Sequence, residues 1–149
     1  MITSLDLIAT LCAGLLVGVE FAVSAFVNPV LWQLDDRAQS RAIRLFADKL
    51  GTVMPFWYAA TLVLLAIETA VRWHERARAL LITSIVIWLA VIVLTIFFLV
   101  PINSRLARLD PESSFDKSRK EHKGWDTRHR LRILAIGTAL VCFLVAIHG

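Results

Sequence analysis

The chain has 149 residues, of which 58% are hydrophobic and 19% charged, with a mean hydropathy of +0.69. Ordinary soluble domains sit near half apolar and a quarter charged, so this composition points to a membrane protein. Two Cys and four Pro exclude a disulfide-stapled scaffold, a collagen-like repeat and a disordered tail, and a net charge of +4 is too modest to suggest a nucleic-acid partner by itself.

A membrane helix needs about 20 mostly apolar residues to cross about 30 Å of hydrocarbon. The first such run is Leu7 to Leu31, interrupted only by Glu20, with Gly14 and Gly18 as a small-xxx-small pair. Leu34, Ala38, Ala42, Leu45, Phe46 and Leu50 then recur at helical spacing, with Arg37, Arg41, Arg44 and Asp48 on another face. That pattern predicts an amphipathic helix between helices one and two, in the interface or as an inward extension of helix one. The second run is Gly51 to Val71, where Glu68 has Arg72 at i+4, a spacing that favours an ion pair.

The third run, Leu80 to Val100, carries no charge and has no polar face, which excludes a soluble four-helix bundle. LDPESSFDKSRK follows as a loop, and a helical lead-in takes the chain to the fourth run. That run is Leu131 to His148, with Arg132 expected to snorkel. The expected fold is all-α: one integral membrane domain over 1–149, a bundle of four transmembrane helices.

Basic residues set the expected orientation. The first and third connections hold thirteen Lys and Arg against three in the second, and none precedes helix one. The positive-inside rule therefore places connections 32–50 and 101–130 in the cytoplasm and both termini outside, in the inner (plasma) membrane. Helix one is expected to be a retained anchor rather than a cleaved signal peptide. Cys12 and Cys142 fall at similar depth and are expected to be free thiols.

An acid inside a bilayer is a functional candidate because its burial is costly. Glu20 is the deep one, and Ser24 and Asn28 follow at i+4 and i+8 on the same helical face. Further polar and aromatic residues gather at the end of the bundle that bears the first and third connections. Trp57 and Tyr58 begin helix two beside Pro55; Asn103 ends helix three after Pro101. Trp125, His129 and Arg132 share one face just before helix four. The aromatics are also what an interfacial belt would supply, and the prolines what helix ends would supply. His129 has a side chain suited to proton transfer near neutral pH. No CxxC, CxxCH or HExxH occurs, and His122 and His129 lie about 10 Å apart along one helix, so no cofactor is expected and a haem or metal is the disfavoured alternative.

The segment GLLVGVEFAVSAFVNPVLW, followed in order by PFWY, PINSRL and WDTRHRLR, resembles the small four-helix membrane proteins of the anthrone oxygenase-like family. The resemblance implies oxidation of an anthrone to an anthraquinone with dioxygen and no established cofactor. Many bacterial relatives have His before the helix-one Pro, where this chain has Asn28. On this reading Glu20 or His129 is the base, and Arg132, with Asn28 or Asn103, holds the oxyanion. Ser24, Trp57, Tyr58 and Trp125 complete the candidate substrate site, which is expected to open toward the cytoplasm. The expected partners are the bilayer and a small polycyclic or quinone-like molecule, with a homo-oligomer left open. The alternative is a non-enzymatic accessory subunit or proton-linked carrier, whose polar cluster fastens the bundle or, through Glu20, carries a proton.

Overall fold

The computed structural model describes residues 4–110 and 115–149. Within them the chain forms four long helices and no strands: α1 (Ser4–Leu31), α2 (Asp36–Val71), α3 (Arg78–Arg108) and α4 (Phe115–His148). Each is long and apolar enough to cross a membrane. α1 and α3 each pack against α2 and α4, so they stand on opposite sides of the bundle, while α2 and α4 also meet. The helices run antiparallel in sequence. Ser4 and Gly149 therefore mark one end of the bundle (the terminal end), and the α1–α2 and α3–α4 connections mark the other. The LDPESSFDKSRK stretch is not a loop throughout: Phe115 to Lys120 already belong to α4, and residues 111–114 lie outside the described residues.

The apolar runs map onto the helices, but the helix limits differ from the sequence expectation in an instructive way. The amphipathic segment is helical, yet it neither stands alone nor extends α1. It is the first part of α2, which starts with Asp35 capping the backbone N–H groups of Arg37 and Ala38 and passes through Pro55 without a break. Pro29 and Pro101 do not end their helices either. A proline ring presses on the carbonyl four residues back, and it has no N–H to donate. In both helices the preceding turn widens to a π turn, Val23–Val27 and Thr95–Leu99, after which the helix resumes. Asn28 and Val100 accordingly donate to the carbonyls of Val23 and Thr95, five residues back.

At 36 and 34 residues, α2 and α4 are about 50 Å long, well beyond the hydrocarbon thickness. The interior accordingly falls into two clusters. One, around Leu16, Leu65, Leu81, Trp88, Ile136 and Phe143, fills the apolar part of the bundle. The other, around Val23, Leu31, Ile43, Leu99, Ile102, Leu106 and Trp125, fills the connection end. Large apolar side chains such as Leu15, Phe21, Val86, Phe97, Leu134 and Val141 face outward, as a lipid solvent requires.

Ion pairs pin both ends. At the terminal end Arg72 meets Glu68 at 3.3 Å, as the i+4 spacing predicts, and also Asp6 of α1 at 2.7 Å. At the connection end Arg105 grips Glu121 through two bonds of 3.0 and 2.7 Å, joining α3 to α4. Cys12 and Cys142 are free thiols, and Cys12 Sγ lies 3.4 Å from Thr61 Oγ1.

Candidate functional site

Glu20 sits in α1 just before its π turn and is only 3% exposed. A buried carboxylate must have its lone pairs answered, and two neighbouring helices do so. Tyr58 of α2 donates its hydroxyl to Oε1 at 3.0 Å. Arg132 of α4 donates Nη2 to Oε2 at 2.6 Å. His129, one turn earlier on α4 and fully buried, stands beside the pair, its Nδ1 3.2 Å from the same oxygen without donating to it.

The histidine's own bonds fix its form. Nε2 lies 3.1 Å from the Glu20 backbone carbonyl, which can only accept, so Nε2 carries the hydrogen. Nδ1 then accepts from Arg132 Nη2 at 2.9 Å. Arg132 Nη2 thus sits between the carboxylate and a neutral imidazole, and His129 steadies both partners of the ion pair. The imidazole also stacks on Trp125, with ring centroids 4.3 Å apart, and the Arg132 guanidinium lies 5.6 Å over the Tyr58 ring.

This cluster forms one wall of a cavity of about 290 Å³ at the junction of the two core clusters. Glu20 and Val23 of α1, Met54, Tyr58 and Leu62 of α2, Ile92 and Thr95 of α3, and Trp125 and Arg132 of α4 all line it. Most of the lining is apolar, with polar groups at a few points, the usual make-up of a small-molecule site, and its volume sits at the lower edge of the usual ~300–1,000 Å³ range. Its exposed lining residues, Gly51, Pro55, Ala59, Ile96 and Val100, run along the α2–α3 seam, so the opening is lateral rather than at the end of the bundle. Pro55 also has no N–H to offer the Gly51 carbonyl, which lies in the same stretch of wall.

The sequence candidates divide cleanly. Glu20, Tyr58, Asn103, Trp125 and Arg132 line the cavity. His129 stands behind that wall, supporting Arg132 and Trp125. Asn28 is buried elsewhere, donating to Asp126 Oδ1 at 2.6 Å, and Asp126 also pairs with Arg130 at 2.9 Å. Ser24 lies within the π turn, half-buried, outside the lining. Trp57 faces the other way and donates its indole N–H to the Cys12 carbonyl at 3.0 Å.

Two residues escaped sequence reasoning. Asp126 looks like one more charge in a basic connection until Asn28 is placed against it. Thr95 is one of three hydroxyl residues in an otherwise apolar run, with Thr83 and Ser84, and nothing in the sequence sets it apart from them. Among the described residues, no group of three or more His, Cys, Asp or Glu is placed to hold a metal ion.

The fold and site define a membrane-spanning four-helix protein with a buried, arginine-paired carboxylate on the wall of an apolar cavity. The model of the anthrone oxygenase family matches residues 43–142, and the chain belongs to that family. No curated protein and no solved structure matches the chain. The matched stretch carries Tyr58, Thr95, Asn103, Trp125, His129 and Arg132, while Glu20 comes from α1, outside it.

Proposed function

We propose that the protein binds a lipophilic, oxygen-bearing ring system of the anthrone type in this cavity and oxidises it with dioxygen. The observation that carries the reading is the Glu20 carboxylate at the wall of an apolar cavity that opens on the lipid-facing side of the bundle. Such a ligand partitions into the bilayer and enters laterally between α2 and α3.

The chemistry follows from the charges. An anthrone is a carbon acid whose ring methylene yields a proton to leave a resonance-stabilised enolate. Glu20 takes that proton while Arg132, whose Nε has no partner in the protein, stays beside the reacting carbon and offsets the charge that passes from the carboxylate into the ring. The negative charge moves but never stands alone, which matters in a site this dry. The enolate's electron pair then forms a C–O bond to dioxygen, and the resulting peroxide takes up a proton. Loss of the second methylene hydrogen with cleavage of the O–O bond releases water and leaves the carbonyl. The sum is one anthrone and one dioxygen giving one anthraquinone and one water.

Glu20 rather than His129 is the base in this scheme, because only Glu20 reaches the cavity. His129 is a positioning residue: it holds Arg132 at the bond lengths above. The accessory-subunit reading draws on one observation, that both Glu20 oxygens are already bonded within the bundle. Oxygen uptake separates the two. Purified wild-type protein given anthrone consumes dioxygen and forms anthraquinone in equal amounts, and Glu20→Gln lowers the rate by about 10²–10⁴-fold while the bundle stays folded. A folded Glu20→Gln protein with wild-type uptake overturns the assignment.

A further inference from the structure

Six of the chain's helical threonines turn their hydroxyl back onto the carbonyl four residues earlier. Thr52, Thr61, Thr69, Thr83, Thr127 and Thr138 do so at 2.8 to 3.2 Å. In an apolar setting this is the ordinary way to satisfy a hydroxyl that nothing else reaches. Thr95 does otherwise. It opens the π turn of α3, its Oγ1 is shielded from solvent, and that oxygen has no hydrogen-bond partner. Leaving a covered hydroxyl unbonded is unfavourable.

Where the side chain lies gives the orphan hydroxyl a use. Thr95 lines the cavity from α3, across the bundle from Glu20 on α1. Two more lining residues carry covered donors without partners, Trp125 at Nε1 and Arg132 at Nε. Thr95 and Arg132 also border a neighbouring cavity of about 240 Å³ between α3 and α4. Trp125 is 93% buried, being 7% exposed, so its N–H has no recourse to solvent. The residues around the cavity therefore include a proton acceptor on α1 and, on α3 and α4, residues with unanswered donors, with apolar side chains between.

We propose that Thr95 is a specificity-determining residue that donates its hydroxyl to an oxygen on the far side of the ligand from the carbon facing Glu20. The ligand class this selects is a flat apolar ring system with its acidic C–H and an acceptor oxygen at opposite edges. A ring with no oxygen opposite the acidic carbon leaves the Thr95 and Trp125 donors unanswered and binds less tightly. This inference rests on the proposed use of the cavity but not on the oxidation step.

Thr95→Val tests it, since the substitution keeps the shape and removes the hydroxyl. With no protein partner to lose, the variant folds as stably as wild type or better. The probes are anthrone and 9,10-dihydroanthracene, alike in shape, the second lacking the carbonyl; binding is read by quenching of tryptophan fluorescence in nanodiscs under nitrogen. Wild type prefers anthrone, and Thr95→Val weakens anthrone by about five- to tenfold while leaving dihydroanthracene unchanged. Equal weakening of both probes, or of neither, overturns the role of Thr95 and leaves the cavity reading intact. Failure of wild type to bind either probe overturns both. Thr95→Ser, which restores a hydroxyl, recovers most of the anthrone preference; a Thr95→Ser protein that behaves like Thr95→Val also counts against the proposal.

Discussion

Replacing Arg132 with Met would leave the Glu20 carboxylate enclosed by three helices with the Tyr58 hydroxyl as its remaining strong donor. The two side chains are 10% and 4% exposed, so little solvent is at hand to make good the lost charge. Breaking a buried ion pair from one side costs about 3–5 kcal/mol, because the partner stays buried and uncompensated. The same removal frees His129 Nδ1 of its donor, which adds to the loss. Removing both charges should be far milder: Glu20→Gln with Arg132→Met keeps an acceptor for Tyr58 and buries no charge. The double-mutant cycle is therefore expected to show a coupling of at least about 2 kcal/mol. Denaturant unfolding of the protein reconstituted in bicelles, followed by tryptophan fluorescence, measures all four corners. A coupling no larger than about 0.6 kcal/mol, the average for interhelical hydrogen bonds in a bilayer, would refute the idea that this pair is a dry charge pair.

Other outcomes follow from the same geometry. His129→Phe keeps the stack on Trp125 but removes both of the imidazole's bonds; kcat is expected to fall by about tenfold with KM and the pH profile little changed. A loss of 10²–10⁴-fold with an altered pH profile would instead make His129 the base. The distribution of Lys and Arg predicts that the connection end faces the cytoplasm. Lys120→Cys, in a Cys12→Ala, Cys142→Ala background, should therefore react with an impermeant maleimide in inverted vesicles and stay unlabelled in intact spheroplasts. The reverse pattern inverts the topology.

Much of the architecture can be read from the residues because a bilayer imposes a crude rule: long uncharged runs must be helical. Glu20 stands out for the same reason, as the deep charge in such a run, and the helical register of Trp125 and Arg132 puts them on one face. What is illegible depends on tertiary partners or on local widening of a helix. Pro29 and Pro101 look like helix ends, since a proline removes one bond of a regular α-helix and crowds the preceding turn, but α1 and α3 continue past them with that turn widened to a π turn. Asn28 looks like part of the Glu20 face, but its buried partner is Asp126, 98 positions away. Asp6 reads as an ordinary residue at the start of a helix until Arg72 closes on it. Thr95 carries no pattern at all; its meaning comes from a hydroxyl that is not bonded where its counterparts are.

Proton abstraction by Glu20 can be observed apart from everything that follows it. Anthrone incubated with the reconstituted protein in deuterated buffer, under strict exclusion of oxygen, has no oxidant to consume its enolate. Exchange of its ring-methylene hydrogens then reports the base alone, read by proton NMR. The account predicts that wild-type protein accelerates this exchange well above buffer and empty nanodiscs, and that Glu20→Gln returns it to that background. Exchange at the background rate in wild type, or at the wild-type rate in folded Glu20→Gln, would contradict it.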